Sequence, residues 1–132
     1  FPLSLFAEGE IGVIKTAKGE VVVLRSESVL VGGVGTTLFE EDVLKTGPSG
    51  AAGVIMNDDT TLSLGPESEL SLKEYTFEPK IESFSVVLRM FKGTFVYMSG
   101  IIGKLSPDSI RLETPDSTIA VRGTRLLIKV DD

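Results

Sequence analysis

The chain has 132 residues, a formal net charge of −6 at pH 7, and neither cysteine nor histidine. This length fits one domain whose core needs no disulfide or metal. Without cysteine and histidine, the chain lacks thiolate nucleophiles, the usual zinc and haem ligands and the commonest general base. Its acidic charge disfavours nucleic acid as a partner, because phosphate backbones attract clustered lysine and arginine. We therefore expect no cofactor and no enzymatic activity.

The composition predicts an all-β fold with little or no helix. The chain contains 14 glycines and 6 prolines, and its apolar runs are short and rich in valine, isoleucine, leucine and threonine. Such runs, separated by turn-forming residues, are typical of strands rather than helices. We expect a single domain over residues 9–130.

Residues 1–8 form an N-terminal apolar segment, in which residues 1–7 are apolar apart from Ser4. The segment is too short to cross a bilayer, which needs about 20 residues in a helix. It is interpreted either as the remnant of a signal peptide or as a strand docked on the core. No other apolar run is long enough to predict a membrane span.

The first part of the domain predicts short strands joined by glycine-containing turns. Residues 11–15 and 20–25 flank a polar connection and are predicted to form a hairpin, followed by a short strand at residues 29–31. The glycine-rich residues 32–35 lack the spacing and lysine of a phosphate-binding loop. We interpret them as a turn between strands.

Residues 42–72 alternate apolar and polar positions, with glycine, proline, serine or aspartate recurring at short intervals. This pattern is typical of a small sandwich or of a solenoid-like coil of short strands, and we prefer the coil. Residues 74–82 are predicted to be a loop. Residues 83–91 and 94–99 are predicted to form a hairpin around Lys92 and Gly93.

Residues 110–130 predict three more strands separated by turns. Pro115 ends the first because it cannot donate to an inner ladder, and Gly123 lies where the chain must turn or bulge. In the last strand, Arg125 and Lys129 are expected to face water. The residues expected to face the core are Leu126, Ile128 and Val130.

Arg122 directly follows Val121 and should place its guanidinium near the boundary of the core. A buried charge needs a partner, because an unpaired one costs several kcal/mol. We therefore expect Arg122 to bond turn carbonyls and one carboxylate, with Asp42 and Asp58 as candidates. This interpretation makes the arginine structural rather than part of a ligand site.

Two acidic clusters are candidate functional sites. Residues 57–60 resemble the start of a calcium loop, but position 12 of that loop is Ser68 rather than glutamate. The acidic residues at 40–42, with Glu67 and Glu69, would supply the carboxylates of a glycosidase, but the chain has no tryptophan to stack a sugar. A turn and exposed strand edges are the preferred interpretations.

Taken together, several motifs resemble the FecR family of bacterial extracytoplasmic domains. The family's pattern has an early Gly-x-Val-x-x-Arg strand, an Asp-x-Leu-x-Thr-Gly corner, an Asp-Gly-Ser/Thr-x-Leu-x-Leu corner, a late glycine hairpin and a closing Thr-Pro with Val-Arg-Gly-Thr. The matching segments here are Gly19 with residues 21–25, residues 42–47, residues 58–64, Lys92-Gly93, Thr114-Pro115 and residues 121–124.

The resemblance implies an all-β, solenoid-like domain. Asp59 stands where the family pattern has glycine, so we expect this aspartate to adopt the left-handed conformation. The motif residues are expected to be structural, and they are Asp42, Thr46, Gly47, Asp58, Thr114, Pro115, Arg122, Gly123 and Thr124.

For function, the resemblance implies a noncatalytic domain that binds another envelope protein, in the periplasm or after secretion. The relay to a sigma factor known in the family is not carried over to this chain. Strand edges are the expected contact surface, and they also allow a homo-oligomer. The alternative is a glycan-binding or cell-wall-binding module, which exposed rings of Tyr75 and Tyr97 would favour.

Overall fold

The computed structural model describes residues 9–121 and 123–131. About 61% of these residues are in strands and 9% in helical turns, so the predicted all-β class is confirmed. The strands are β1 (Glu10–Lys18), β2 (Val21–Arg25), β3 (Ser28–Val31), β4 (Thr37–Phe39), β5 (Val43–Thr46), β6 (Ala51–Met56), β7 (Thr61–Leu64), β8 (Glu69–Glu78), β9 (Ser83–Met98), β10 (Ile110–Glu113), β11 (Thr118–Ala120) and β12 (Arg125–Val130).

Helical structure is short in the described residues. The helix α1 spans Ile101–Leu105, and two 3-10 turns span Pro79–Ile81 and Pro107–Ser109. Ile102 is fully buried, whereas Ile101 is partly exposed. A single helical turn therefore inserts one isoleucine under the loop that leaves β9.

The strands form one sheet that curls on itself, and β9 joins its two halves. The first half contains β4, β1, β6, β7, the end of β9 and β12, in that order. The second half contains β3, β2, β5, β8, the start of β9, β10 and β11. Neighbouring strands are antiparallel except for β9 and β10, which are parallel.

The prediction of a hairpin at Lys92 and Gly93 was wrong, because β9 runs through both residues. Before them β9 pairs with β8, and after them it pairs with β7 and β12. Gly93 has a φ of +110°, and a Cβ there would overlap Ser68. Glycine therefore lets the strand bend and change neighbours without reversing direction.

The prediction of a hairpin between residues 11–15 and 20–25 was also wrong. β1 pairs with β4 and β6 in the first half, whereas β2 pairs with β3 and β5 in the second. Gly19, with a φ of +64°, lies at the crossing between them. The chain therefore does turn at Gly19, but the turn takes it from the first half of the sheet to the second instead of forming a hairpin.

The predicted loop at residues 74–82 is a loop only at its end. β8 continues to Glu78 and pairs with β9, and the 3-10 turn then reverses the chain. Alternate residues of this part of β8 face the core side. Tyr75 is buried, and the Phe77 ring packs 6.2 Å from that of Phe84. The charged residues of this segment made the alternation of a strand hard to recognise in the sequence.

Residues 42–72 divide between the two halves of the sheet. β6 and β7 form a hairpin in the first half, and β5 and β8 pair in the second. Asp59 lies in the β6–β7 turn with a φ of +71°, which confirms the expected left-handed conformation. Gly123, with a φ of +86°, is likewise at a turn.

The core lies between the two halves of the curled sheet. Strands such as β6 alternate buried and half-buried residues, as expected when one face of a pleat packs inward. The fully buried rings of Phe95 and Tyr97 belong to the same apolar cluster as Leu44 and Leu70 from the opposite half. Burying each such side chain stabilises the fold by about 1.5–3 kcal/mol.

The three strands predicted within residues 110–130 are confirmed as β10, β11 and β12. In β12, Ile128 is buried and Leu126 and Val130 pack against the core. Arg125 and Lys129 are exposed, as predicted. The last strand therefore closes one side of the core and has an outer face of mixed charge and apolar character.

Candidate functional site

Asp42 is a buried carboxylate at the turn between β4 and β5. It accepts hydrogen bonds from Arg25 Nε and Nη2, both at 2.9 Å, and from the Phe39 amide at 2.8 Å. The side chain of Asp42 is only 1% exposed. The paired bonds match the planar fork of a guanidinium, which makes this contact directional.

Arg25 links this turn to the end of β2. Its guanidinium lies 4.7 Å from the centre of the Phe39 ring, and Nη2 also donates to the Thr37 carbonyl at 3.1 Å. The hydrogen bond to Asp42 raises the pKa of Arg25 above its ordinary value. Because β4 and β2 belong to opposite halves of the sheet, this cluster fastens the halves together.

Asp58 forms a second buried anchor at the β6–β7 turn. Its carboxylate accepts hydrogen bonds from the Tyr75 hydroxyl at 2.7 Å, from Thr60 Oγ1 at 2.9 Å and from the Ile102 amide at 2.9 Å. The Asp58 carbonyl also accepts a bond from the Ile101 amide at 2.8 Å. One aspartate therefore holds its own turn, β8 and the start of α1.

The tyrosines around Asp58 are held in their neutral form. Burial raises the pKa of Tyr75 far above its usual range, and the hydrogen bond to Asp58 raises it further. Burial also raises the pKa of Tyr97. Tyr75 is 6% exposed and Tyr97 is fully buried, so neither ring offers a platform for a sugar.

Thr46 and Gly47 lie at a third corner, beside the connection from β7 to β8. Thr46 Oγ1 donates to the Gly65 carbonyl at 2.7 Å and accepts from the Ser68 amide at 2.9 Å. The Gly47 carbonyl accepts from the Glu67 amide at 3.0 Å. Thr46 and Gly47 therefore supply hydrogen-bond partners to the backbone of the β7–β8 connection.

The late motif residues lie at turns near the surface. The Thr114 amide donates to the Ser117 carbonyl at 2.8 Å, which closes the turn around Pro115. Thr124 accepts a hydrogen bond from the Ser99 amide at 2.9 Å. Ser99, to which Thr124 is bonded, directly precedes Gly100 beside the Asp58 turn, whereas Thr114 and Pro115 lie at a separate turn.

Arg122 lies outside the described residues, so its predicted pairing with Asp42 or Asp58 stays a prediction. Both carboxylates have other partners in the described part of the chain. Asp42 binds Arg25, and Asp58 is surrounded by neutral donors. The pairing of Arg25 with Asp42 was not predicted from the sequence, although each residue lies in one of the motif segments, residues 21–25 and 42–47.

The described residues contain no cluster of acidic side chains placed to hold a metal ion. A cavity of about 580 Å³ lies against β10 and β11 and is lined by Asp108, Arg111 and Val121 among others. Its walls combine one carboxylate and one guanidinium with apolar and backbone groups. Neither Asp42 nor Asp58 is among the described residues that line it.

The strands at the ends of the two halves expose apolar side chains. On β3, Val29 is 69% exposed and Val31 is 86% exposed, and on β12, Leu127 is 72% exposed. β3 pairs only with β2, and β12 only with β9, within the described residues. Strands with one free edge and exposed apolar residues are a common means of protein association.

Residues 42–132 match the family described as FecR protein, which covers more than half of the chain. The chain belongs to the FecR family. The FecR family takes part in signalling at the bacterial envelope and is regulatory in character. Searches of curated proteins and of solved structures find no match.

The FecR match includes Asp42, Asp58 and β12, and it begins after Arg25 and β3. The Arg25–Asp42 contact therefore joins the matched region to strands that precede it. No helix in the described part of this FecR domain is long and apolar enough to span a bilayer.

Proposed function

We propose that residues 9–130 form a noncatalytic, extracytoplasmic domain that binds another envelope protein through a free strand edge. Membership of the FecR family supports a role in envelope signalling. The observation that carries the proposal is the exposure of Val29, Val31 and Leu127 on strands that, among the described residues, are paired on one side only. Such edges can receive an extended segment by adding a strand to the sheet.

The same proposal places the domain in the periplasm or outside the cell. The family's association with the envelope supports this location. Fractionation of cells that express the full-length protein would test it, with recovery in the cytoplasm as the contrary result.

Affinity capture from envelope extract, run beside a pull-down with purified peptidoglycan, tests the binding partner. We expect a protein to be retained by the wild-type domain and lost from a variant with both edges charged, Val31→Lys with Leu127→Asp. Lys104→Glu, on the exposed surface of α1, is the matched control and should retain the protein. Retention of peptidoglycan without a protein would contradict the proposal.

A second copy of the chain is another occupant that free edges allow. Sedimentation of the purified domain over a range of concentrations distinguishes this case. We expect a monomer, since the proposed partner is another protein. A dimer abolished by the edge-charged variant would replace that partner by a second copy.

A further inference from the structure

The unpaired edge of β12 indicates which residue types a partner segment would need. This inference rests on the proposed function. β12 pairs with β9 over its whole length, from Arg125 opposite Met98 to Val130 opposite Gly93. No strand among the described residues covers its other side. An extended segment could therefore add to the sheet along six residues.

The hydrogen-bonding direction of each β12 residue follows from the start of the strand. The Ser99 amide donates to the Thr124 carbonyl at 2.9 Å, which is in register with the β9–β12 ladder. Alternate residues of a strand bond to the same side. Even-numbered residues of β12 therefore bond to β9, and Arg125, Leu127 and Lys129 direct their amides and carbonyls toward the free edge.

The same three residues carry the exposed side chains of the strand. Leu127 is 72% exposed, and it lies between Arg125 and Lys129, which are also exposed. The Lys129 ammonium lies 4.0 Å from the Asp131 carboxylate, but both side chains are at least 75% exposed, so this ion pair is weak. The edge thus presents a cation, an apolar residue and a cation in a chain of net charge −6.

The outer face of the neighbouring strand extends the apolar part of this surface. Leu127 is opposite Val96, which is half-buried, and Arg125 is opposite Met98, which is 47% exposed. An apolar side chain placed next to Leu127 would therefore contact apolar groups on the sheet. Cross-strand pairs of this kind stabilise a sheet, and so do pairs of opposite charge.

We propose that the β12 edge binds an extended segment of another protein in which one apolar residue has a carboxylate two positions before it and another two positions after it. Because side chains alternate along a strand, these three residues all lie on the outer face of the sheet. The apolar residue then packs beside Leu127, and the carboxylates lie opposite Arg125 and Lys129. The order carboxylate, apolar residue, carboxylate is symmetric, so the segment could pair with β12 in a parallel or an antiparallel direction.

This chain does not contain the proposed pattern, which argues against a second copy as the occupant. Carboxylates four positions apart occur at Glu74 and Glu78 and at Glu78 and Glu82, but the central residues are Thr76 and Lys80. Residues 1–8 carry a single acidic residue, Glu8. The partner chemistry therefore points to a different protein.

A synthetic peptide whose centre reads Glu-Thr-Val-Thr-Glu tests the proposal on the full chain, with a Lys-Thr-Val-Thr-Lys peptide as the control. Calorimetry or fluorescence anisotropy should detect binding of the acidic peptide, which weakens as salt screens the exposed charges. The double variant Arg125→Glu with Lys129→Glu should bind the acidic peptide roughly tenfold less tightly, since two cross-strand charge pairs become repulsive. That variant should instead bind the lysine peptide.

Leu127→Pro tests the backbone contact separately. Proline removes the amide that faces the free edge and leaves the bonds between β12 and β9 in place. We expect the peptide to lose binding to Leu127→Pro while Leu127→Thr, which keeps the amide, retains part of it. If the proline variant does not fold, the charge exchange still decides the matter.

Several results would overturn the proposal. They are absence of acidic-peptide binding to the wild-type chain, equal binding of the two peptides, and no exchange of preference in the double variant. Any of them would mean that Arg125 and Lys129 only discourage unwanted strand pairing. If envelope capture still retained a protein that these variants bind normally, the proposed function would stand and this edge assignment alone would fail.

Discussion

The buried corners and the β12 edge differ in how their polar groups are hydrogen-bonded. At the corners, Asp42 and Asp58 are almost fully buried, and each accepts at least three hydrogen bonds from side chains and amides. Along β12, alternate amides and carbonyls face the free side of the sheet. The buried carboxylates at the corners have their hydrogen-bond partners within the chain, whereas one side of β12 has no paired strand among the described residues.

This difference separates groups that hold a turn from groups that we propose contact a partner. A buried carboxylate with satisfied donors holds a turn, and its loss leaves those donors without partners. An exposed side chain on an edge strand contributes little to stability, but it affects which segment can pair with that strand. The following substitutions test this division, from the largest expected effect to the smallest.

Asp58→Ala should lower the free energy of unfolding by about 3 kcal/mol or more, since it removes the acceptor for Thr60, Tyr75 and Ile102. Denaturant titration measures the loss. Asp59→Asn, in the same turn, is the matched control and should change stability by less than about 0.5 kcal/mol, because asparagine also tolerates a positive φ. Similar losses in both variants would contradict the anchor role of Asp58.

Asp42→Ala should cost about 2 kcal/mol, less than the Asp58 change, because its partner Arg25 is 35% exposed. Arg25→Lys should lose part of the same stability, since an ammonium cannot replace the two-nitrogen contact. A double-mutant cycle by denaturant titration isolates the coupling between the two residues. Additive losses would show that the contact contributes nothing to stability.

Alkaline pH should destabilise the domain through its buried tyrosines. The pKa of Tyr75 is raised on folding, so its contribution is fully present below the unfolded pKa of about 10 and is lost as the pH rises toward the folded value. The slope should reach about 1.4 kcal/mol per pH unit for this residue. Tyr75→Phe should be less stable at neutral pH, and its free energy of unfolding should fall less steeply at alkaline pH. Denaturant titrations at several pH values measure both effects. An unchanged slope would show that Tyr75 does not cause the alkaline loss.

Leu127→Ser and Val31→Thr should change the free energy of unfolding by less than about 0.5 kcal/mol, because both side chains are mostly exposed. Thermal or denaturant unfolding measures this. Ile128→Ser, at the neighbouring buried position of β12, is the contrasting control and should be clearly destabilised. A large loss in Leu127→Ser would mean that the outer face of β12 belongs to the core.

The sequence was enough to predict the fold class and most strands. Alternation and turn residues are local signals, and the left-handed Asp59 followed from one departure in a family pattern. The hairpin predicted at Gly93 was wrong because a glycine between aromatic residues is compatible with both a hairpin and a bent strand. Only its contact with Ser68 and the pairing of β9 with β7 and β8 separate the two.

The contacts between distant residues could not be predicted from local patterns. Arg25 and Asp42 are 17 positions apart, and their pairing depends on the register of the β2–β5 ladder, in which Leu24 lies opposite Val43. The exposure of Leu127 also depends on strand order, since the same alternation would occur in a covered strand. An edge strand can be recognised only when all its neighbours are known.

Hydrogen exchange of the β12 amides, measured by NMR on the unbound domain, tests the central contrast most directly. The account predicts alternation: the amides of Leu126, Ile128 and Val130 exchange slowly because they bond to β9, and those of Arg125, Leu127 and Lys129 exchange quickly because they face the free edge. The amide of Ile102, bonded to Asp58, should be among the slow group. Slow exchange throughout β12 would show that its edge is already covered, and this would contradict a free recognition edge.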